Sequence, residues 1–376
     1  MKHYGQAGTY LYELSKMIAK NRLPVIYALL AAALFGSSAP AAKILLRSVD
    51  PVTLGALFYL GSGFGLILYL WFERLSGGDR HTLEAAVTRS DLPSVVGIVL
   101  FGGILAPMIL MVSLQYTPSA TASLLLNFEP VATTILAVLF FREAVGRRIY
   151  VALALITVSC VILSYDPSAA WGFSVAALGI LLTCTCWALD NNISRNVAAK
   201  DPVPIVAVKG AIAGIVMVVI AILLGETMPS PSIAVIAMVV GFFSYGGITS
   251  VFFFWALRGI GTARAGAILA VSPFFGVVIS LLVFPDPLPL MFYMALPVMG
   301  VGAYLLMTEH HSHLHTHPAV FHEHRHHHDD LHHDHEHQGW EPPLSSSGEH
   351  SHPHQHEELV HEHAHTPDIH HRHSHE

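Results

Sequence analysis

MVSLQYTPSATASLLLNFEPVATTILAVLFF, residues 111–141, stands in register with FWALRGIGTARAGAILAVSPFFGVVISLLVF, residues 254–284, at a constant offset of 143. Leu114/Leu257, Ala120/Ala263, Ala122/Ala265, Leu126/Leu269, Leu139/Leu282 and Phe141/Phe284 coincide, and so do two prolines set deep in apolar runs, Pro130 and Pro273. Apolar identities recur easily by chance in such a composition. Proline inside a helix does not, because its ring removes a backbone donor and clashes with the preceding turn. The matched prolines identify an internal repeat.

Around this pair the chain is 53% hydrophobic and only 12% charged, against about 25% charged for soluble domains. A helix needs about 20 apolar residues to cross a bilayer core. Ten segments meet that length, at residues 24–46, 51–73, 92–115, 118–141, 148–165, 172–194, 202–224, 233–257, 262–284 and 288–307. Connections as short as TPS (117–119) and FPDP (284–287) make neighbouring helices antiparallel. A cleaved signal ending at Ala39-Pro40-Ala41 is set aside, because the apolar run is longer than the roughly 7–15 residues of such signals and continues past the site.

Five spans per half is an odd number, so the second half enters the membrane with opposite polarity. The predicted fold is an all-α membrane protein of ten transmembrane helices, built as two inverted five-helix repeats. A terminal segment (1–23), a first repeat (24–165), a second repeat (172–307) and a tail (308–376) divide the chain. Inverted repeats with helices interrupted at matching positions are the architecture of secondary transporters, whose substrate site lies near the midplane.

Lysine and arginine set the orientation. Fourteen of them fall before the first span or in alternate loops: Lys2, Lys16, Lys20, Arg22, Arg74, Arg80, Arg89, Arg142, Arg147, Arg148, Arg195, Lys200, Arg258 and Arg264. The opposite loops hold Arg47 alone. Both termini are thus expected in the cytoplasm of a multi-pass protein.

Charges at bilayer depth are costly and mark pathways or internal pairs. Glu129 lies about 16 Å into the fourth span at a rise of about 1.5 Å per residue, close to the midplane. It immediately precedes Pro130 and is two residues from Asn127. Glu129 with Asn127 is the leading site candidate, binding a cationic group or exchanging a proton; the alternative is a structural acid hydrogen-bonded to a neighbouring helix. Asp190 ends the sixth span beside Asn191 and Asn192, and Lys209 lies one to two turns into the seventh, so an ion pair across this hairpin is expected, as a lock or as a gate. Lys43, near the outer end of the first span, either snorkels to the interface or meets an anionic substrate group. Trp187, Tyr116, Tyr245 and Trp255 either line a cavity or anchor and pack. Gly102, Gly103, Gly246 and Gly247 permit close helix contact or act as hinges.

Of 27 histidines, 25 lie from His310 onward, where the chain carries a net −10 against +3 before it, giving the overall −7. It has no apolar periodicity, so disorder is expected. Its densest run, HEHRHHHDDLHHDHEH (322–337), offers His322, His324, His326, His327, His328, His332, His333, His335 and His337 as metal ligands. Imidazole interleaved with carboxylate suits Zn²⁺, Ni²⁺, Co²⁺ or Cu²⁺, and composition does not choose among them. HEHRH (322–326) and HEHAH (361–365) satisfy the zinc-protease pattern formally, but without the rigid helix and surrounding fold that pattern requires. The membrane spans contain no histidine, and Cys160, Cys184 and Cys186 all fall in apolar segments as inert thiols rather than a four-thiolate site.

AAALFGSSAPAAKILL (31–46), GGILAPMILMVSLQYTPSATASLLLNFEPVATTILAVLFFRE (102–143), CWALDNNISR (186–195) and ALRGIGTARAGAILAVSPFFGVVISLLV (256–283) resemble EamA-type permeases of the drug/metabolite transporter superfamily. The resemblance covers about residues 24–307 and implies two EamA repeats in a bacterial inner membrane. It also implies export of small metabolites or amphipathic compounds, driven by an ion gradient such as protons or by exchange. One departure is that the second repeat ends in Phe284-Pro285-Asp286-Pro287, where such repeats more often end in a Gly-Glu pair.

Three functions follow as expectations: an exporter of small organic solutes with a metal-binding tail, a divalent-metal exporter fed by that tail, or a membrane-anchored metal store. The expected partners are a small-molecule substrate, the lipid bilayer and a coupling ion, with no nucleic acid, no enzymatic activity and no required cofactor.

Overall fold

The computed structural model describes residues 23–76, 87–141, 146–197, 200–260, 262–284 and 287–308, and four short strands beyond them. Its membrane body is all-α. The helices are α1 (Leu23–Leu45), α2 (Pro51–Leu75), α3 (Arg89–Tyr116), α4a (Ser119–Leu125) with α4b (Phe128–Phe141), α5 (Arg147–Ser164) and α6 (Val175–Ser194). There follow α7 (Pro202–Leu223), α8a (Pro231–Ser244) with α8b (Ile248–Ile260), α9a (Thr262–Leu269) with α9b (Ser272–Val283), and α10 (Leu290–Met307). Nine of these spans, among the described residues, are long and apolar enough to cross a membrane by length and composition. The remaining one, α6, has 20 residues, and Asp190, Asn191 and Asn192 near its end dilute its apolar character.

Local chemistry sets the helix starts. Pro51, Pro202 and Pro231 each occupy a first turn, where the missing N–H has no intrahelical partner to lose. Asp201 Oδ1 accepts from Val203 N at 3.0 Å and so caps α7.

The interruptions recur at the repeat offset. In α4 the break falls at Leu126 and Asn127, and in α9 at Ala270 and Val271, within about a residue of the 143 spacing and just before the two prolines. In α3, residues Val99–Leu105 form a π-helical turn, the kind of irregularity often found at functional sites. The same offset carries that turn onto residues 242–248, where α8 breaks at Tyr245–Gly247 and Gly246 adopts φ 98°. Gly103 and Gly246 occupy equivalent places, so glycine serves the breaks here as well as close contact.

Packing crosses between the repeats. The main scaffold pairs are α2 with α7 and α5 with α10. Backbones of α2 and α7 approach so closely that a Cβ on Gly210 would sit 2.7 Å from Gly63 N, the small-residue contact typical of membrane helices. Phe58, Leu110, Met111, Leu125, Ile180 and Met217 fill the interior. Trp71, Leu139, Leu223 and Leu282 lie exposed, as lipid-facing side chains must.

At one end of the bundle, poor in charge, α4a packs on α9b and on α1, while no comparable seam joins α4b to α9a at the other end among the described residues. The two repeats also exchange carboxylates at this charge-poor end. Glu226 accepts from Val52 N (3.1 Å), Thr53 N (2.7 Å) and Thr53 Oγ1 (2.9 Å) at the start of α2. Asp50 accepts from Thr227 N (2.8 Å) and Thr227 Oγ1 (3.0 Å).

Beyond Thr308, β1 (Ser312–His317) pairs antiparallel with β4 (Leu359–Ala364), and β2 (Phe321–His327) with β3 (Glu349–Gln355). The strands coincide with a period-two alternation, HEHRH and HSHPH, which suits extended backbone even without an apolar face. Residues 1–22, Asp286, and the candidate ligands His328, His332, His333, His335 and His337 lie outside the described residues.

Candidate functional site

Where the two broken helices cross, a cavity of about 330 Å³ opens, within the range of small-molecule sites. Leu126, Asn127, Glu129 and Pro130 line it from α4, and Gly266, Leu269, Ala270, Ser272 and Pro273 from α9. Phe35 of α1 and Gly246, Thr249, Ser250 and Phe253 of α8 complete the wall. Its surface is mainly apolar, and it extends along α8b and α9a toward the end opposite the α4a–α9b seam.

The break in α4 positions the polar groups. Asn127 N and Glu129 N bond back three residues, to Leu124 O (3.2 Å) and Leu126 O (3.1 Å), a tightened turn that the proline imposes by having no N–H to offer. The Asn127 amide also donates to Leu124 O at 3.0 Å. With these N–H donors committed within the helix, the Glu129 carboxylate takes its donor from outside it. Asn191 Nδ2 donates to Glu129 Oε1 at 2.8 Å, and the neighbouring Asn192 Nδ2 donates to Thr133 O at 3.2 Å, tying α6 to α4b.

One residue before Asn191, Asp190 points to a different neighbour. Its Oδ2 meets Lys209 Nζ of α7 in the hydrogen-bonded ion pair that the hairpin geometry anticipated. Asp190 is buried and Lys209 partly so. The carboxylate occupies the space left by Gly102 in the π-turn of α3: a Cβ there would overlap Asp190 Oδ2. Tyr59 OH donates to Gly102 O at 2.6 Å. Neither Asp190 nor Lys209 lines the cavity, so one polar turn of α6 serves two places, the cavity through Asn191 and the α3–α7 contact through Asp190.

Lys43 lies away from both. Its ammonium donates to Leu114 O (2.6 Å) and Gln115 O (2.9 Å), the free carbonyls at the end of α3, where a cation is favoured by the helix dipole. Of the seven residues singled out by sequence, Asn127, Glu129, Pro130 and Pro273 share the cavity; Asp190, Lys209 and Lys43 stand outside its wall. The thiols are buried, and Cys184 Sγ faces Leu125 O at 3.8 Å. No group of three or more His, Cys, Asp and Glu side chains able to hold a metal occurs among the described residues.

Phe35, Thr249, Ser250 and Phe253 were not marked by sequence. Their residue types are ordinary for apolar spans, and only the crossing of α1 and α8 with the broken helices brings them together. Gly266 carried a usable signal, because it stands at the repeat offset from Ser123 of α4a.

Comparison with known proteins bears on this geometry. The model of the EamA-like transporter family matches residues 22–165 and 174–308, once in each half. An uncharacterized transporter of Methanothermobacter thermautotrophicus is 29% identical over 287 residues, covering 72% of this chain and 82% of its own. A solved crystal structure superposes with a TM-score of 0.53 at 19% identity, over 74% of this chain and 95% of that one, a likeness in fold alone.

Proposed function

Because this chain belongs to the EamA-like transporter family, we propose that it is a secondary active exporter of small organic solutes that carry a cationic group on an apolar body. The observation that carries this reading is the placement of one carboxylate, Glu129, in an otherwise mainly apolar cavity at the crossing of two proline-broken helices. A carboxylate in such surroundings discriminates strongly for a positive partner, since an unpaired charge away from water is costly. Release of the solute then leaves Glu129 to Asn191 or to a proton, which gives coupling to a proton gradient or to exchange.

The charge-rich end is assigned to the cytoplasm from the lysine and arginine bias, so the cavity faces the cytosol. Asn127, Thr249 and Ser250 supply neutral hydrogen bonds for orientation, and Phe35 and Phe253 supply apolar area. A metal cargo is disfavoured by the wall itself, which has no imidazole or thiol, the groups that suit transition metals.

The tail is assigned divalent-metal binding as an accessory. Register sets His322 opposite His354, His324 opposite His352 and His326 opposite His350, and residues two apart share one face of a strand.

A survival screen tests the whole reading. Full-length protein, a form ending at Thr308 and Glu129→Gln are compared against Zn, Ni, Co, amino acids and toxic amphipathic cations. The expected pattern is protection from organic cations by the first two and not by the third. Metal tolerance conferred by the full-length protein and lost with the tail supports metal export instead.

A further inference from the structure

We propose that the two strand pairs beyond Thr308 are zinc sites, each taking one ion on four histidines opposed in pairs across its strands, and that the bound ions hold the strands together. This rests on the accessory metal-binding reading of the tail above, to which it adds the ligands and the number of ions.

Backbone pairing supplies the geometry. In β1 with β4, His313 stands opposite His363 and His315 opposite His361. In β2 with β3, His322 stands opposite His354, His324 opposite His352 and His326 opposite His350. Positions two apart on a strand share a face, so each set falls on one face of its ribbon. Directly opposed residues have Cβ atoms about 4.5–5.5 Å apart, and the next pair on that face follows after two strand residues, about 6.6 Å on. Two adjacent pairs thus mark a rectangle with corners about 4 Å from its centre, within reach of imidazole nitrogens that bond zinc at about 2.0–2.1 Å. Four ligands with no open position match the coordination zinc takes in structural sites. The first ribbon offers one such rectangle. The second offers two that share the middle pair, His324 and His352, so it holds one ion at a time.

The chemistry of the strands gives the second observation. A two-stranded ribbon is marginal in water unless an apolar face packs on something. In β2 with β3 the face without opposed histidines carries Glu323, Arg325, Ser351 and Pro353, so neither face is apolar. Protonated imidazoles set opposite one another repel, which weakens the pairing further when no metal is bound. Zinc reverses that balance, because a site absent from the unfolded chain turns binding free energy into folding free energy. The two ladders are also in step: Ser312 to His327 is 15 positions, and Ala364 back to Glu349 is the same 15. Closing one ribbon therefore brings the pairs of the other into register, and a single loop-closure cost serves both.

Zinc retention by the purified full-length protein tests this. After loading with zinc and dialysis against a competing chelator, two ions per chain are expected to remain. His324→Gln/His352→Gln removes the shared pair and leaves the outer pairs about 13 Å apart, so one ion should be lost. His315→Gln/His361→Gln should lose the other, and all four substitutions together should lose both. His370→Gln/His371→Gln, which removes as many imidazoles from outside the strands, should lose none. Spin labels at Arg325→Cys and Ser351→Cys, opposed in the register, should report a short, narrow distance with zinc and a broad one after chelation, with Cys160, Cys184 and Cys186 replaced by serine. Two ions retained by His324→Gln/His352→Gln, equal losses from all three double substitutions, or a label distance indifferent to zinc overturns the ribbon sites and leaves the tail a metal binder. Equal retention by the form ending at Thr308, or no retention by the full chain, removes the metal-binding reading itself and the ribbon sites with it.

Discussion

Asn191 holds the carboxylate of Glu129 at 2.8 Å, while the residue before it on α6, Asp190, holds the ammonium of Lys209. Two adjacent side chains on one turn thus link the cavity to the contact among α3, α6 and α7. That arrangement separates what substitutions at the two places should do.

Glu129→Gln keeps an acceptor for Asn191 and removes the charge. Stability should stay within about 1 kcal/mol of wild type, while a cationic solute loses a charge-assisted hydrogen bond worth about 1.5–3 kcal/mol, or roughly 10- to 100-fold in affinity. Isothermal titration with detergent-purified protein reads the affinity. Equal binding by both proteins removes Glu129 from the site.

Breaking the Asp190–Lys209 pair should act on folding. Asp190→Asn or Lys209→Met alone leaves a partner charge uncompensated, at a cost of about 3–5 kcal/mol, and the double substitution should recover most of it. Gly102→Ala, whose methyl group overlaps the Asp190 carboxylate, should cost about 1–3 kcal/mol by overpacking. Thermal unfolding in detergent measures all four proteins; additive losses in the double variant contradict the pairing.

Lys43→Met should lower stability by about 1 kcal/mol through loss of the cap on α3. Transport per folded molecule should not change, since the ammonium is committed to Leu114 and Gln115. A changed solute preference in vesicle assays normalised to folded protein assigns Lys43 to the pathway after all.

Glu226→Ala removes a carboxylate that serves three donors at the start of α2. A loss of about 0.5–2 kcal/mol is expected, as for other helix-start caps. Thr53→Val, which deletes only the hydroxyl donor, should lose less. The order of melting temperatures, wild type above Thr53→Val above Glu226→Ala, is the check.

Much of this architecture was legible in the chain. Apolar length located the helix ends to within about three residues, and Pro130 with Pro273 revealed both the repeat and two of the three broken helices lining the cavity. The break in α8 was less visible. Gly246 and Gly247 suited close packing as well as a hinge, and only φ 98° at Gly246 separates the two. Glu129 was legible because a carboxylate at that depth is rare. Its partner was not, because the contact with Asn191 depends on how α6 rotates against α4b, which no one-dimensional spacing records. Lys43 shows the opposite limit: charge and depth were plain in the sequence, but its destination at the carbonyls of α3 is a tertiary fact. In the tail, histidine content was obvious, whereas strand pairing depends on partners some 30 residues apart, as for His322 and His354.

The proposed function stands on recognition of a cation by the carboxylate of Glu129 inside the cavity. Uptake of phenethylamine and of its neutral analogue phenethyl alcohol into proteoliposomes, by wild type and Glu129→Gln, tests it most directly. Protein-dependent uptake of the amine alone, by wild type alone, is the predicted result. Amine uptake by Glu129→Gln at the wild-type rate would show that Glu129 does not bind the cation.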